Sequence, residues 1–162
     1  MNPCPCGKGI RPGACECGPT RGARYLRRVS GPLLDRFDLR LVVERPQVDE
    51  LLGGEPGEST DAVRARVHEA RARAAARGIA RNADIPPHRL DELAPMSSGA
   101  AAMLRRELEL NRLTGRGLHR IRRVARTLAD LGDGRPVIDE SLISTALSMR
   151  VDPSAWTQVA AA

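Results

Sequence analysis

Apolar residues recur at helical spacing through most of the chain beyond residue 58. The period of three to four residues predicts amphipathic helices that bury one face. Ser59 or Thr60 is expected to cap the first of them, Gly78 to end it, and Ser97 or Ser98 to cap the second. The predicted helices cover residues 59–77, 97–111, 116–131 and 139–149.

A different pattern precedes these helices. A short helix is expected around residues 23–29, followed by a helical turn at residues 33–36. Apolar and polar positions then alternate over residues 37–43, and this period of two predicts a half-buried strand. Both edges of such a lone strand would be exposed, so we expect isolated chain to aggregate unless a partner covers it. Pro- and Gly-rich residues 45–57 and 82–87 are interpreted as connections.

Composition narrows the fold and function classes. The chain has 162 residues with one Phe, one Tyr and one Trp, so a core of aliphatic residues and Ala is expected. The expected fold class is therefore mainly α with one short strand (α+β), and a large multidomain enzyme or an aromatic-rich β-sandwich is excluded. No apolar run is long enough to span a bilayer, and no secretory signal opens the sequence, which predicts a cytoplasmic protein without a membrane partner.

Charge points to anionic partners without identifying one. The net charge is +6, and Lys8 is the only lysine. Arginine suits phosphate and carboxylate recognition because its planar fork makes paired hydrogen bonds. A GC-rich genome would enrich arginine equally well, so composition alone does not decide. The basic helix from Ala62 to Arg77 is a candidate phosphate-binding surface, with a solvated arginine face as the alternative.

Four cysteines form the clearest chemical motif. They make two CxC pairs separated by eight residues rich in Gly and Pro, within a segment (2–22) that has too few aliphatic residues for a core. Four thiolates suit tetrahedral Zn²⁺ in a closed structural site. The alternatives are reduced thiols in a loop and, less favoured, a redox pair. The expected metal ligands are Cys4, Cys6, Cys15 and Cys17.

Three strings of sequence carry a resemblance to a known family. They are MNPCPCG, then RYLRRVSGPLLDRFDL, then GRGLHRIRRVARTLADL. Together they resemble the C-terminal part of the magnesium-chelatase-like AAA+ ATPases of bacteria, the ComM (YifB-type) group. The resemblance covers residues 2–150 and implies the end of an AAA+ core over residues 23–46, a helical lid over residues 59–150 and a tail over residues 151–162.

The resemblance also implies roles for single residues. Asn2 corresponds to sensor 1, which orients the attacking water, and Arg36 to the arginine finger that reaches a neighbouring subunit's γ-phosphate. Without the resemblance, Arg36 would be interpreted as a surface ion pair with Asp35 or Asp38. Arg116 corresponds to sensor 2 at the start of a lid helix, with Arg120 one turn later as the alternative. The arginines of that helix are expected to lie mostly off its apolar stripe.

The nucleotide-binding half of the AAA+ module is not recognisable in the sequence. There is no GxxxxGK[ST] loop and no apolar strand ending in Asp-Glu, so the chain should not hydrolyse ATP alone. A truncated or separately encoded C-terminal fragment is expected, with ATP and Mg²⁺ bound only together with the other half, from a possible separate chain. The family implies homo-hexamers and DNA, as in a helicase that drives branch migration during natural transformation. The alternatives are a non-catalytic, zinc-stapled, basic nucleic-acid-binding module, the motor subunit of magnesium chelatase itself, and a truncated product without function.

Overall fold

A computed structural model describes residues 4–8, 15–43, 46–54 and 56–150 of the chain. The described residues fall into two compact units, one comprising residues 4–54 with Arg150 and the other Pro56–Met149. The predicted tail over residues 151–162 lies outside the described residues. The structure is mostly helical, which confirms the predicted fold class. None of the described helices combines the length and the apolar character needed to cross a membrane.

The first unit contains three short helices. They are α1 (Pro19–Leu26), α2 (Gly31–Leu34) and α3 (Val48–Gly53). The first two agree with the predicted short helix and turn, whereas α3 lies within the segment that was interpreted as a plain connection. A capping box explains α3, because the backbone N–H of Gln47 donates to Glu50 Oε2 at 2.8 Å. The Gln-x-x-Glu spacing was therefore a readable signal.

The predicted strand over residues 37–43 is wrong. Within the described residues, this segment makes only an isolated parallel bridge between Arg40 and Arg150. The alternating apolar side chains are exposed, from 47% at Phe37 to 90% at Val43. A strand needs backbone partners and an apolar surface to cover one face, and the described part of this unit provides neither. Alternation alone was insufficient evidence for a strand.

The second unit is a helical bundle. Its helices are α4 (Thr60–Ala76), α5 (Leu90–Leu93), α6 (Ser98–Glu109), α7 (Gly115–Leu131) and α8 (Glu140–Ser148). The four long predictions are confirmed within a few residues. The break at residues 82–87 contains a 3₁₀ turn, and a second 3₁₀ turn and α5 follow it, all too short to show a period.

Side-chain caps set the starts of the four longer helices. The oxygen of Ser59 accepts from the N–H of Ala62, and Ser97, Thr114 and Asp139 cap α6, α7 and α8 in the same way. Gly78 follows α4 with a φ of +74°, the left-handed conformation that favours glycine. These caps decide between the paired alternatives in favour of Ser59 and Ser97.

The core of the second unit surrounds α7. Ile121 and Ala125 of α7 are fully buried, and Leu118 and Leu128 are partly buried beside them. Backbone hydrogen bonds join the segments that precede α6 and α8, because Ile138 N–H donates to Pro95 O at 2.8 Å. The remaining buried apolar residues of this core are Ile85, Leu90, Leu93, Ala94, Ala100, Leu104, Leu113, Ile138, Ile143 and Ala146.

Candidate functional site

A tight turn brings the first cysteine pair to one side of the chain. Gly7 N–H donates to Cys4 O at 3.2 Å, and Gly7 has a φ of +73°, which a side chain would strain. The Sγ atoms of Cys4 and Cys6 lie 3.1 Å apart as a result. Lys8 and Glu16 join the two CxC segments through an ion pair of 3.5 Å.

The second pair completes a cluster of four sulfurs. Cys6 Sγ lies 3.7 Å from Cys15 Sγ, and the Sγ atoms of all four cysteines, Cys17 included, lie within 4.8 Å of one another. All four are free thiols. A tetrahedral Zn²⁺ site with Zn–S bonds of about 2.3 Å has S···S edges of about 3.8 Å, so the donor set and its spacing fit such an ion. The cluster could bind a metal.

The close approach of the four thiols moves the pKa values of Cys6 and Cys15 in opposite directions. Hydrogen bonds from the Cys4 thiol and the Lys8 backbone N–H lower the pKa of Cys6 to about 6. At Cys15 the backbone N–H of Cys17 acts to lower the pKa, but the other thiols and burial outweigh it and raise the pKa to about 12. The Cys6 thiolate therefore forms readily, whereas a bound cation would be needed to stabilise all four cysteines as thiolates.

Arg36 lies in the first unit, just after α2, and its side chain is exposed. Its Nη1 donates to the carbonyl oxygen of Pro32 at 2.9 Å. No ion pair of Arg36 occurs among the described residues, and Asp35 instead accepts from Arg150 Nη2 at 3.4 Å. The alternative of an Arg36–Asp35 pair is therefore wrong. Its role as an arginine finger stays a prediction.

Arg116 and Arg120 lie on the first two turns of α7 in the second unit. Arg116 is exposed and makes no ion pair with a described residue, whereas Arg120 is half-buried. Thr114 caps this helix end at 2.9 Å from the N–H of Gly117. An exposed cation beside a helix N-terminus favours an anion there. Asn2, the predicted sensor 1 residue, lies outside the described residues.

The sequence-based interpretation missed a buried polar network between α4 and α7. Asp130 is 1% exposed and accepts from Arg77 Nη1 at 3.0 Å, Arg126 Nη2 at 3.1 Å and Asn82 Nδ2 at 2.7 Å. Arg126, also 1% exposed, donates further to Pro136 O at 2.8 Å. The (i, i+4) spacing of Arg126 and Asp130, next to the apolar stripe, was the signal that could have revealed it.

The expectation that the arginines of α7 lie mostly off its buried face is wrong, because Arg122 and Arg126 are buried and Arg120 and Arg123 are half-buried. Arg122 is 8% exposed and donates to Asp91 Oδ1 at 2.8 Å and to Ala94 O at 3.0 Å. Arg123 donates to Ile85 O at 2.9 Å through Nε. These side chains satisfy backbone carbonyls and carboxylates of neighbouring segments, so their role is structural.

The described chain thus combines a four-thiol cluster that could hold a metal in one unit with a helical bundle in the other. The chain belongs to the magnesium chelatase ChlI family. The family model for the C-terminal part of subunit ChlI matches residues 57–150, and the model for subunit ChlI matches residues 1–51.

Bacterial relatives agree with this assignment. An uncharacterized protein of Mycobacterium tuberculosis is 42% identical over 154 residues, covering 92% of this chain and 30% of that protein. YifB of Escherichia coli is 36% identical over 93% of this chain and 29% of its own length. Competence protein ComM of Haemophilus influenzae is 35% identical over 82% of this chain and 26% of its own length. The chain thus spans less than a third of the length of these relatives.

Proposed function

We propose that this chain is the sensor, arginine-finger and lid portion of an ATP-dependent AAA+ DNA motor of the ComM kind. It would act in a homo-hexamer together with the nucleotide-binding half, with Arg36 reaching the γ-phosphate of a neighbouring subunit and Arg116 reaching the phosphates at its own site. The H. influenzae relative is named competence protein ComM, and this link to competence supports DNA as the substrate.

The exposure of Arg36 without a carboxylate partner is the observation that carries this proposal. Many arginines of the chain are paired with Asp or Glu, including Arg66 with Glu58 and Arg89 with Glu92. Among the described residues, the acceptor of Arg36 is the neutral carbonyl of Pro32, so its charge stays available to an incoming anion. A finger needs a cation that keeps its charge and a fork that follows charge developing on phosphoryl oxygens.

Restoring the missing part tests the proposal. The matching segment of E. coli YifB would be replaced by this chain, and DNA-stimulated ATP hydrolysis and branch migration by the chimera would be measured. We expect activity, and we expect R36Q to lower kcat about 10³-fold or more, as for other arginine fingers. R89Q removes a half-buried, ion-paired arginine and is the control. A hexameric chimera in which R36Q hydrolyses ATP as fast as R89Q would refute the assigned role.

We further propose that the four-cysteine cluster binds one structural Zn²⁺. Cys4, Cys6, Cys15 and Cys17 would be the ligands, leaving no open position for catalysis. The ion would hold together two CxC segments among which Cys4 is the only buried apolar residue. Elemental analysis of tag-free chain should give one zinc per chain, lost in C4S/C15S. Four titratable thiols with no metal would refute the site.

A non-catalytic nucleic-acid-binding module is the second candidate. The same cluster favours it, because a metal site of this kind orders a short basic segment without nucleotide. This module would bind DNA with strong salt dependence whether or not ATP is present. The chimera separates the two candidates, since only a motor component restores hydrolysis.

A further inference from the structure

Helix α1 carries a dense basic face next to the cysteine cluster. Arg21, Arg24, Arg27 and Arg28 are all exposed, and no ion pair of theirs occurs in the described part of the chain. Arg21 and Arg24 lie on α1, Arg27 is its C-cap residue, and Arg28 follows in the turn. The spacings Arg21–Arg24, Arg24–Arg27 and Arg24–Arg28 are three or four residues, so the four side chains lie on one side of α1 and its C-terminal end, and together they are called the α1 face. No acidic residue occurs between Glu16 and Asp35.

The arginines of α4 form the candidate phosphate-binding surface predicted from the sequence. Unlike those of the α1 face, most of them are paired with acceptors within the chain. Arg64 pairs with Asp61 at 2.5 Å and Arg66 with Glu58 at 2.6 Å. Arg73 and Arg77 are engaged with backbone carbonyls and with Asp130. Arg71 of this helix makes no ion pair with a residue that the structure describes. The positive charge of α4 is thus largely compensated within the chain, and that of α1 is not.

We propose that the arginine face of α1 binds the phosphate backbone of DNA, which rests on the proposed DNA partner and assigns its contact surface. Four like charges on two turns repel one another, and a polyanion relieves this repulsion. Cys15 and Cys17 immediately precede the N-cap of α1 at Gly18, so the cysteine cluster fixes where the helix begins. The cysteine cluster therefore holds the N-terminal end of this arginine face in place.

Charge and shape favour DNA over an anionic membrane surface. A membrane-binding helix needs large apolar side chains opposite its basic face. On α1 the only large apolar candidates are Tyr25 and Leu26, and both are half-buried within the unit. The remaining exposed positions of the helix are small or polar. Contacts to phosphates alone carry no sequence information, so binding independent of DNA sequence is expected.

The experiment compares two variants of the whole chain that lose the same number of positive charges. R21Q/R24Q/R27Q/R28Q removes the α1 face. R64Q/R66Q/R81Q/R89Q removes four arginines that are paired with acids. Fluorescence anisotropy measures binding of a short DNA duplex at several salt concentrations. Circular dichroism verifies that both variants keep their helices. Vesicles containing phosphatidylserine are the second probe.

Four phosphate contacts contribute a slope of about −3.6 to the plot of log K against log salt. The wild type should therefore lose about 150-fold more affinity between 50 and 200 mM salt than the α1 variant. The control variant should keep the wild-type slope. Equal losses in both variants would overturn the assignment in favour of net charge.

Three further outcomes separate this inference from the function on which it rests. DNA binding that is unchanged in the α1 variant overturns the α1 surface and leaves the DNA partner standing. A wild-type chain that binds phosphatidylserine vesicles but no DNA overturns both. Loss of vesicle binding alone in the α1 variant, with DNA binding retained, also overturns the assignment.

Discussion

Asp130 shows how a single buried charge holds α4 against α7. Its carboxylate receives hydrogen bonds from Arg77, Arg126 and Asn82, and both Asp130 and Arg126 are 1% exposed. Removing one partner of a buried charged group leaves the other uncompensated, which is more costly than losing a surface pair. This network is therefore the most sensitive polar feature of the bundle.

We predict that D130N lowers the free energy of unfolding by about 3–5 kcal/mol, because the charges of two arginines lose their acceptor. Urea denaturation followed by circular dichroism measures the change. D84N is the matched control, since Asp84 pairs with Arg81 in an exposed position, where such pairs contribute about 0–1 kcal/mol. Equal effects of the two substitutions would contradict a structural role for the network.

Helices of the second unit are fixed by caps at their starts as much as by their apolar stripes. Ser97 Oγ accepts from the N–H of Ala100 at 3.0 Å, whereas Ser98 is the exposed first residue of α6. We predict that S97A destabilises the chain by about 1 kcal/mol and that S98A changes stability by less than about 0.5 kcal/mol. Thermal unfolding of the two variants tests this; a larger loss in S98A would mean that the cap lies one residue later.

Most helices of the bundle could be predicted because cap, period and terminating residue agree along the sequence. Helix α5 could not, since four residues are too few to show a period. In the first unit, the six residues of α3 also show no period, and only the Gln47-x-x-Glu50 capping box indicates that helix. The strand over residues 37–43 was predicted wrongly because alternation describes only one strand and says nothing about its partners.

Site residues were predictable where spacing alone brings them together. The two CxC pairs are such a case, because a tight turn at Gly7 is sufficient to converge the thiols. Whether an arginine is compensated depends on contacts across the fold, which sequence spacing does not reveal. Arg126 thus appeared to be a solvent-facing residue, and the uncompensated face of α1 was not distinguished from the compensated one of α4.

At the scale of the whole molecule, ion pairs and hydrogen bonds lower the pKa values of several described carboxyl groups. The pKa values of Glu58, Asp84 and Glu92 are lowered chiefly by hydrogen bonds from Arg66, Arg81 and Arg89. Hydrogen bonds from Arg135 lower the pKa of Asp133 to about 2. Burial acts to raise the pKa of Asp130, but Arg77, Asn82 and Arg126 outweigh it and lower the pKa.

These shifts predict that stability falls as the solution becomes acidic. A carboxyl group with a lowered pKa in the folded chain binds its proton more weakly than it does in the unfolded chain, so unfolding takes up protons. The stabilisation is complete above about pH 5 and is lost progressively as the pH falls towards about 2. Urea denaturation at a series of pH values measures this slope.

Added salt and the D130N variant distinguish the contribution of exposed carboxyl groups to this pH dependence of stability from that of buried Asp130. About 1 M salt should flatten the part due to exposed pairs, because it shortens the screening length to about 3 Å, and should leave the buried part. The difference in stability between wild type and D130N should shrink as the pH falls, since protonated Asp130 is neutral like Asn. A difference that stays constant from pH 6 to about pH 2 would mean that the charge of Asp130 does not stabilise the fold.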